Sequence, residues 1–308
     1  MTITRRTLLY FPFLLAPALR AERLGGFRRV TAWTSNVEAI IKPDHLKTQV
    51  EGKSVKTLRV RGPEDDLMIF IVLDLTGDLS LVDPARQSVV AEIQALPLSV
   101  WTAVLRSQDG LHVLSDPTND RARSVEAING AQVSGRAGLL ETIEPATQLA
   151  SEILRKSPLR LAVLYLTDSN IYNYREDYTN PVINPSDSRD LSRRFPEGLI
   201  REKTSKLANS LAALDAPVFV VHLAYLRDRL NEAYQNGLQS MAEASGGHAA
   251  FCRSAADIPG EIKRAFSRIV SHWAIDFEAP ENLPRNFTVQ LSADDAGLQY
   301  RTRFARGK

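Results

Sequence analysis

Leu67-Met68-Ile69-Phe70-Ile71-Val72-Leu73 is an unbroken apolar run that stops at Asp74. A second run, Leu159–Thr167, apolar but for Arg160 and the closing threonine, stops at Asp168, and a third, apolar but for His222, spans Pro217–Leu223. A strand with one wet face alternates apolar and polar residues; an unbroken run is covered on both faces. Only a sheet with helices on each side covers several such strands, so these runs predict an α/β fold. They also place two carboxylates at strand outlets, where open α/β sheets bind ligands.

The segments between the runs fit that architecture. Asp83-Pro84 reads as an N-cap followed by proline at the first helical position, opening a helix to about Leu96. Ser99–Arg106 and Leu111–Leu114 read as strands of a hairpin turned at Asp109-Gly110. Helices are predicted at about 120–129, 139–155, 202–214, 226–244 and 258–271, with a short strand at His248–Cys252. Gly246-Gly247 is the expected stop of the helix before that strand. The result is a three-layer, doubly wound, mostly parallel sheet over residues 67–272. The long connection Ser169–Arg201, with Pro181, Pro185 and Pro196, is of a length usually reserved for function or disorder.

The two ends of the chain alternate instead. Val30–Trp33, Val37–Ile41 and Val55–Val60 near one end, and Phe287–Leu291 and Leu298–Phe304 near the other, have period two. Neither end has enough strands to bury a face alone. Residues 22–66 and 273–308 are therefore expected to pair into one small antiparallel β-subdomain. Residues 1–21 read as a signal peptide: Arg5-Arg6, then the apolar stretch Leu8–Leu15, then a small-residue cleavage pattern ending at Ala18 or Ala21. Thr4–Leu9 fits a twin-arginine leader as well as a Sec leader. The expected location is exported, periplasmic or secreted. The apolar stretch is too short for a spanning helix, so no stable membrane anchor is expected after cleavage.

The net charge of +2 gives no reason to expect nucleic acid as a partner. The single Cys252 cannot form an internal disulfide and reads as a buried, inert thiol; His222, His248 and His272 lack zinc-ligand spacing. Trp33, Trp101 and Trp273 read as core. No nucleophile elbow, phosphate-binding loop or dinucleotide fingerprint is present, and no catalytic residue is expected.

In order and spacing, these elements resemble a von Willebrand factor A domain, and more narrowly the bacterial exported "VWFA-related" proteins. The matching residues are Leu67–Asp78, Val163–Asp168, and Pro217–Leu223 with its following helix and Ala244-Ser245-Gly246-Gly247. The resemblance implies a metal-ion-dependent adhesion site. In that family an Asp-x-Ser-x-Ser loop, a threonine from a second loop and an aspartate from a third hold the cation. A partner carboxylate completes the coordination.

Carried over residue by residue, the metal-ligand candidates are Asp74, Thr76, Asp78 and Asp168. Thr76 keeps the hydroxyl of the first serine; Asp78 replaces the second. Ala137 stands where the threonine belongs and supplies no oxygen, and Arg136 is beside it. The site is therefore degenerate. Either Mg²⁺ (or Mn²⁺ or Ca²⁺) neutralises the acids, or Arg136 pairs with Asp74 or Asp168. Tyr172, Tyr174 and Tyr178 are expected to rim the site as partner contacts, with Arg136. The implied function is a non-enzymatic protein-binding module of adhesion type. A metal-assisted hydrolase using the same acids, or a metal-free structural subunit of an envelope assembly, are the alternatives.

Overall fold

Eight consecutive residues, Leu67–Asp74, form the central strand of the larger sheet, and its alternate side chains feed two separate cores. Leu67, Ile69, Ile71 and Leu73 point to one face; Phe70 and Val72 point to the other. The computed structural model describes residues 26–36, 41–174, 196–293 and 297–307. The predicted leader, the greater part of Val37–Ile41 and Tyr178 lie outside them.

The strands are β1 (Phe27–Thr34), β2 (Leu46–Val50), β3 (Lys53–Val55), β4 (Thr57–Arg61), β5 (Leu67–Asp74), β6 (Val100–Arg106) and β7 (His112–Thr118). They continue with β8 (Arg160–Thr167), β9 (Val218–His222), β10 (His248–Phe251), β11 (Trp273–Glu278), β12 (Asn286–Ala293), β13 (Leu298–Tyr300) and β14 (Arg303–Ala305). The helices are α1 (Leu79–Ala95), α2 (Arg121–Asn129), α3 (Leu139–Lys156), α4 (Pro196–Leu211), α5 (Arg229–Ser245) and α6 (Ile258–Ser271). The central sheet has the order β10-β9-β8-β5-β6-β7, parallel except for β7. Helices α3, α4 and α5 cover one face, and α1, α2 and α6 the other. The fold is thus the three-layer α/β arrangement that the apolar runs predicted.

Some boundaries differ. Helix α1 starts at Leu79, a turn before Asp83-Pro84, because the Asp78 carboxylate accepts from the Ser80 backbone N–H and caps it there. Pro84 lies inside the helix. Helix α4 likewise begins earlier, at Pro196, and the hairpin strand β7 runs on to Thr118. Its pairing with β6 has two register shifts, and Pro117 lies within it. Trp101 is not core: it is 40 % exposed.

The two ends do pair, as a β-sandwich. One sheet has the order β13-β1-β11-β4 and the other β14-β12-β2-β3. Val30, Ala32, Ile275 and Phe277 meet Val50, Phe287, Val289 and Phe304 between them. Buried arginines join this sandwich to the α/β layers. Within one sheet of the sandwich Arg29 and Arg61 both grip Asp276, and from there Arg29 donates across the joint to the Leu159 carbonyl. Arg160, the first residue of β8, donates to the carbonyls of Pro63, Asp65, Val270 and His272. That joint lies at the amino ends of β5 and β8. Over the length of β5, at about 3.3 Å per residue, the carboxyl edge is about 23 Å away and free of the sandwich.

Candidate functional site

The strand register assembles the floor of the site. Asp74 of β5 lies beside Thr167 of β8, which lies beside His222 of β9. Asp168 is the next residue along, so both acids emerge at one edge of the sheet.

Asp74 is fully buried. Its Oδ1 accepts from Ser107 Oγ at 2.6 Å and from the Gly138 backbone N–H at 2.8 Å. Its Oδ2 accepts from Thr167 Oγ1 and Ser169 Oγ, each at 2.9 Å. Burial pushes this carboxyl above the usual carboxylate range, and the hydrogen bonds from Ser107, Gly138, Ser169 and Thr167 oppose that shift. Asp168 is 7 % exposed and is held by the first loop. Its Oδ1 accepts from the Thr76 N–H at 2.5 Å and Thr76 Oγ1 at 3.0 Å, and its Oδ2 from the Gly77 and Asp78 N–H groups, each at 3.1 Å. An anion therefore sits against the N-terminal end of α1, where orphan N–H groups and the helix dipole favour it.

The other candidates are placed as follows. Thr76 spends its hydroxyl on Asp168, and the Asp78 carboxylate is turned back to Ser80 N–H and Oγ. Ala137 is buried, with its N–H on the Asn173 carbonyl. Arg136 corrects an expectation: it is exposed and pairs with neither Asp74 nor Asp168, whose oxygens are occupied by hydroxyls and backbone N–H groups. Tyr172 is 55 % exposed and donates to Asp228 Oδ1. Tyr174 is a second correction. It turns into the core, 2.7 Å from the Tyr234 hydroxyl, because that apolar pocket also offers its hydroxyl a partner.

A divalent cation needs oxygen lone pairs directed at one point. Each carboxylate has about four, and on Asp74 and Asp168 four donors already use them. The threonine position is Ala137, and among the described residues no group of three or more His, Cys, Asp or Glu is placed to hold a metal. The residues in this arrangement do not fit the ion that the resemblance implies.

Sequence reasoning missed Ser107, Thr167, Ser169 and Gly138, the four donors to Asp74. Their one available signal was position: each ends or follows a predicted strand, or precedes a helix, at the same edge. Gly138 is there for lack of space, since a Cβ on it would lie 1.8 Å from the Ser107 carbonyl oxygen. Gly138→Ala is expected to push the second loop off Ser107, break the N–H bond to Asp74 and cost about 2–4 kcal/mol. Urea denaturation of the variant checks this; an unchanged midpoint would show that the loop yields freely.

Outward from β5, the neighbours are β6 and antiparallel β7 on one side and β8, β9 and β10 on the other, with the Asp74 and Asp168 loops at the carboxyl edge. This is the doubly wound architecture expected from the sequence's resemblance to a von Willebrand factor A domain. No family model matches the chain, and no curated protein matches it. Solved structures do. A von Willebrand factor type A protein from Catenulispora acidiphila is similar with TM-score 0.47 at 12% identity, over 91% of this chain and 72% of that one. A mutant of the PilB minor pilin from Streptococcus sanguinis gives 0.46 at 11%, over 67% and 62%. The von Willebrand factor domain of the type V pili tip protein Mfa5 from Porphyromonas gingivalis gives 0.43 at 13%, over 67% and 95%. What those proteins bind is not carried to this chain.

Proposed function

We propose that this chain is a non-enzymatic protein-binding module that works through the carboxyl-edge face of its von Willebrand factor A-like domain, without a resident cation. One observation carries the reading. Leu79, Tyr172 and Tyr225 are 55, 55 and 39 % exposed, and they sit on the segments leaving β5, β8 and β9. Large apolar side chains gathered at one edge mark an interface, and aromatic residues are enriched in such interfaces. Below them Asp74 and Asp168 hold the loops in shape. Their oxygens are engaged and largely shielded from solvent, which suits a structural part better than a general base. The Arg5-Arg6 leader supports export. Among the described residues, no helix is long and apolar enough to cross a membrane.

Affinity capture from a cell-envelope extract in the presence of EDTA tests the reading. A protein retained by the wild type is expected to be lost on Leu79→Ser/Tyr172→Ser/Tyr225→Ser, since truncating interface anchors costs about 1–2 kcal/mol each. A partner retained only when EDTA is left out would restore the cation. Equal retention by the triple variant would move the interface elsewhere.

A further inference from the structure

The rim of this face treats its two charge signs differently. Its loop acids are committed to local donors. Asp168 accepts from three backbone N–H groups, Asp78 from Ser80, and Asp228 from Asn231 and Tyr172. Asp257 accepts from the Arg253 and Ser254 N–H groups, and Asp109 is engaged as well. Glu141 and Glu232 lie in the first turns of α3 and α5, where they complement the helix dipoles.

The loop arginines are the reverse. Arg136, Arg227 and Arg253 are exposed and, among the described residues, pair with no carboxylate. Arg136 precedes Ala137, whose N–H is bonded to Asn173, so it stands next to the Tyr172 turn. Arg227 is two residues past Tyr225, whose own N–H bonds the Cys252 carbonyl just before Arg253. The hydrogen-bonding capacity left open around the apolar trio is thus that of guanidinium forks, which match carboxylates in geometry.

We infer that the face recognises an acidic, aromatic-bearing polypeptide segment, its carboxylates on Arg136, Arg227 and Arg253 and its apolar side chains on Leu79, Tyr172 and Tyr225. This rests on the binding-face reading above. The outlets from β5 to β10 span three strand spacings of about 4.8 Å, so about five extended residues cross them. A bare polyanion would use the arginines and leave the apolar trio in water, which is why a polypeptide is favoured over a polyphosphate or nucleic acid.

The probe is a fluorescein-labelled peptide of about eight residues alternating Glu and Tyr, titrated into the full chain in EDTA and followed by anisotropy. Binding is expected, and Arg136→Glu/Arg227→Glu/Arg253→Glu should weaken it at least ~tenfold while leaving the melting temperature in place. The exposed sandwich lysines serve as control: Lys47→Glu/Lys53→Glu/Lys56→Glu should bind as the wild type. No binding by the wild type, no loss in the arginine variant, or equal loss in the lysine variant overturns the inference. Preferential binding to phosphatidylglycerol vesicles through the same arginines overturns it in favour of a membrane. If Leu79→Ser/Tyr172→Ser/Tyr225→Ser loses the peptide while the arginine variant keeps it, the binding face stands and acid recognition falls. If both variants bind normally, both readings fall.

Discussion

Asp276→Ala is expected to destabilise the chain by about 3–5 kcal/mol, the usual effect of stripping one sign from a buried ion cluster. Asp276 is 4 % exposed, and its partners Arg29 and Arg61 are 2 and 5 % exposed. Both Asp276 oxygens are in use: Arg29 Nε reaches Oδ1 at 2.5 Å, and Arg29 Nη2 and Arg61 Nη1 reach Oδ2 at 3.0 Å each. The two guanidinium groups keep the Asp276 carboxyl below the usual range against a desolvation that pushes it up. Remove the carboxylate and two like charges remain together in a place water does not reach. The urea midpoint reads the effect. Replacing all three residues by apolar ones of similar volume should recover most of the loss, because such swaps are often neutral or better. A single variant as stable as the wild type would mean that the arginines find water.

Acid is expected to unfold the protein well above the carboxylate range, through two buried histidines. Burial, the largest cause in each case, holds His222 at about 4 and His272 at about 3, against an ordinary 6.5. Ser169 O and the Ala224 N–H bracket the His222 ring at 2.9 and 3.3 Å, which suits a neutral imidazole. His272 Nδ1 sits 2.5 Å from the Ile269 carbonyl, with the Arg160 charge nearby lowering its pKa further. Below pH 6.5 the unfolded chain takes up protons that the folded chain refuses. Each histidine's contribution is therefore complete above that pH and is lost as pH falls towards its folded value, at up to about 1.4 kcal/mol per pH unit. Melting temperature should be nearly level above pH 7 and drop steeply between 6.5 and 4. His222→Gln should reduce the slope by about half over the upper part of that window. A level profile from pH 7 to 4 would show that these rings protonate in place.

Most of the layer architecture could be read from the chain because its signals are local. An unbroken run such as Leu67–Leu73 needs cover on both faces wherever it goes, and period two at both ends needs a partner sheet. The start of α1 was misread for an equally local reason: Asp83-Pro84 has the composition of a helix start, but the side chain that captures an N–H is Asp78. What lay hidden was everything set by backbone direction. That Asp168 faces the N–H groups of residues 76–78 follows from where two loops, 92 residues apart, happen to meet. Uncompensated acids were expected to need either a cation or Arg136 as counter-charge; neutral donors occupy their oxygens instead. Tyr174 was expected on the rim because it follows Asp168 in the long loop, yet a hydroxyl partner on α5 drew it inside. Arg29 and Arg61 gave no sequence sign of burial, since arginine is ordinarily a surface residue; the sign for Arg160 was its place inside the apolar run Leu159–Thr167.

The broken pairing of β7 bears on how this chain behaves in a crowded solution. An edge strand of seven residues with Val113 54 % and Leu114 38 % exposed is a template for a second copy to extend the sheet. Pro117 has no N–H to offer an incoming strand, and the two slips against β6 bend the edge out of line. Both features work against accretion of a seventh strand, and so against fibrillar self-association at this flank.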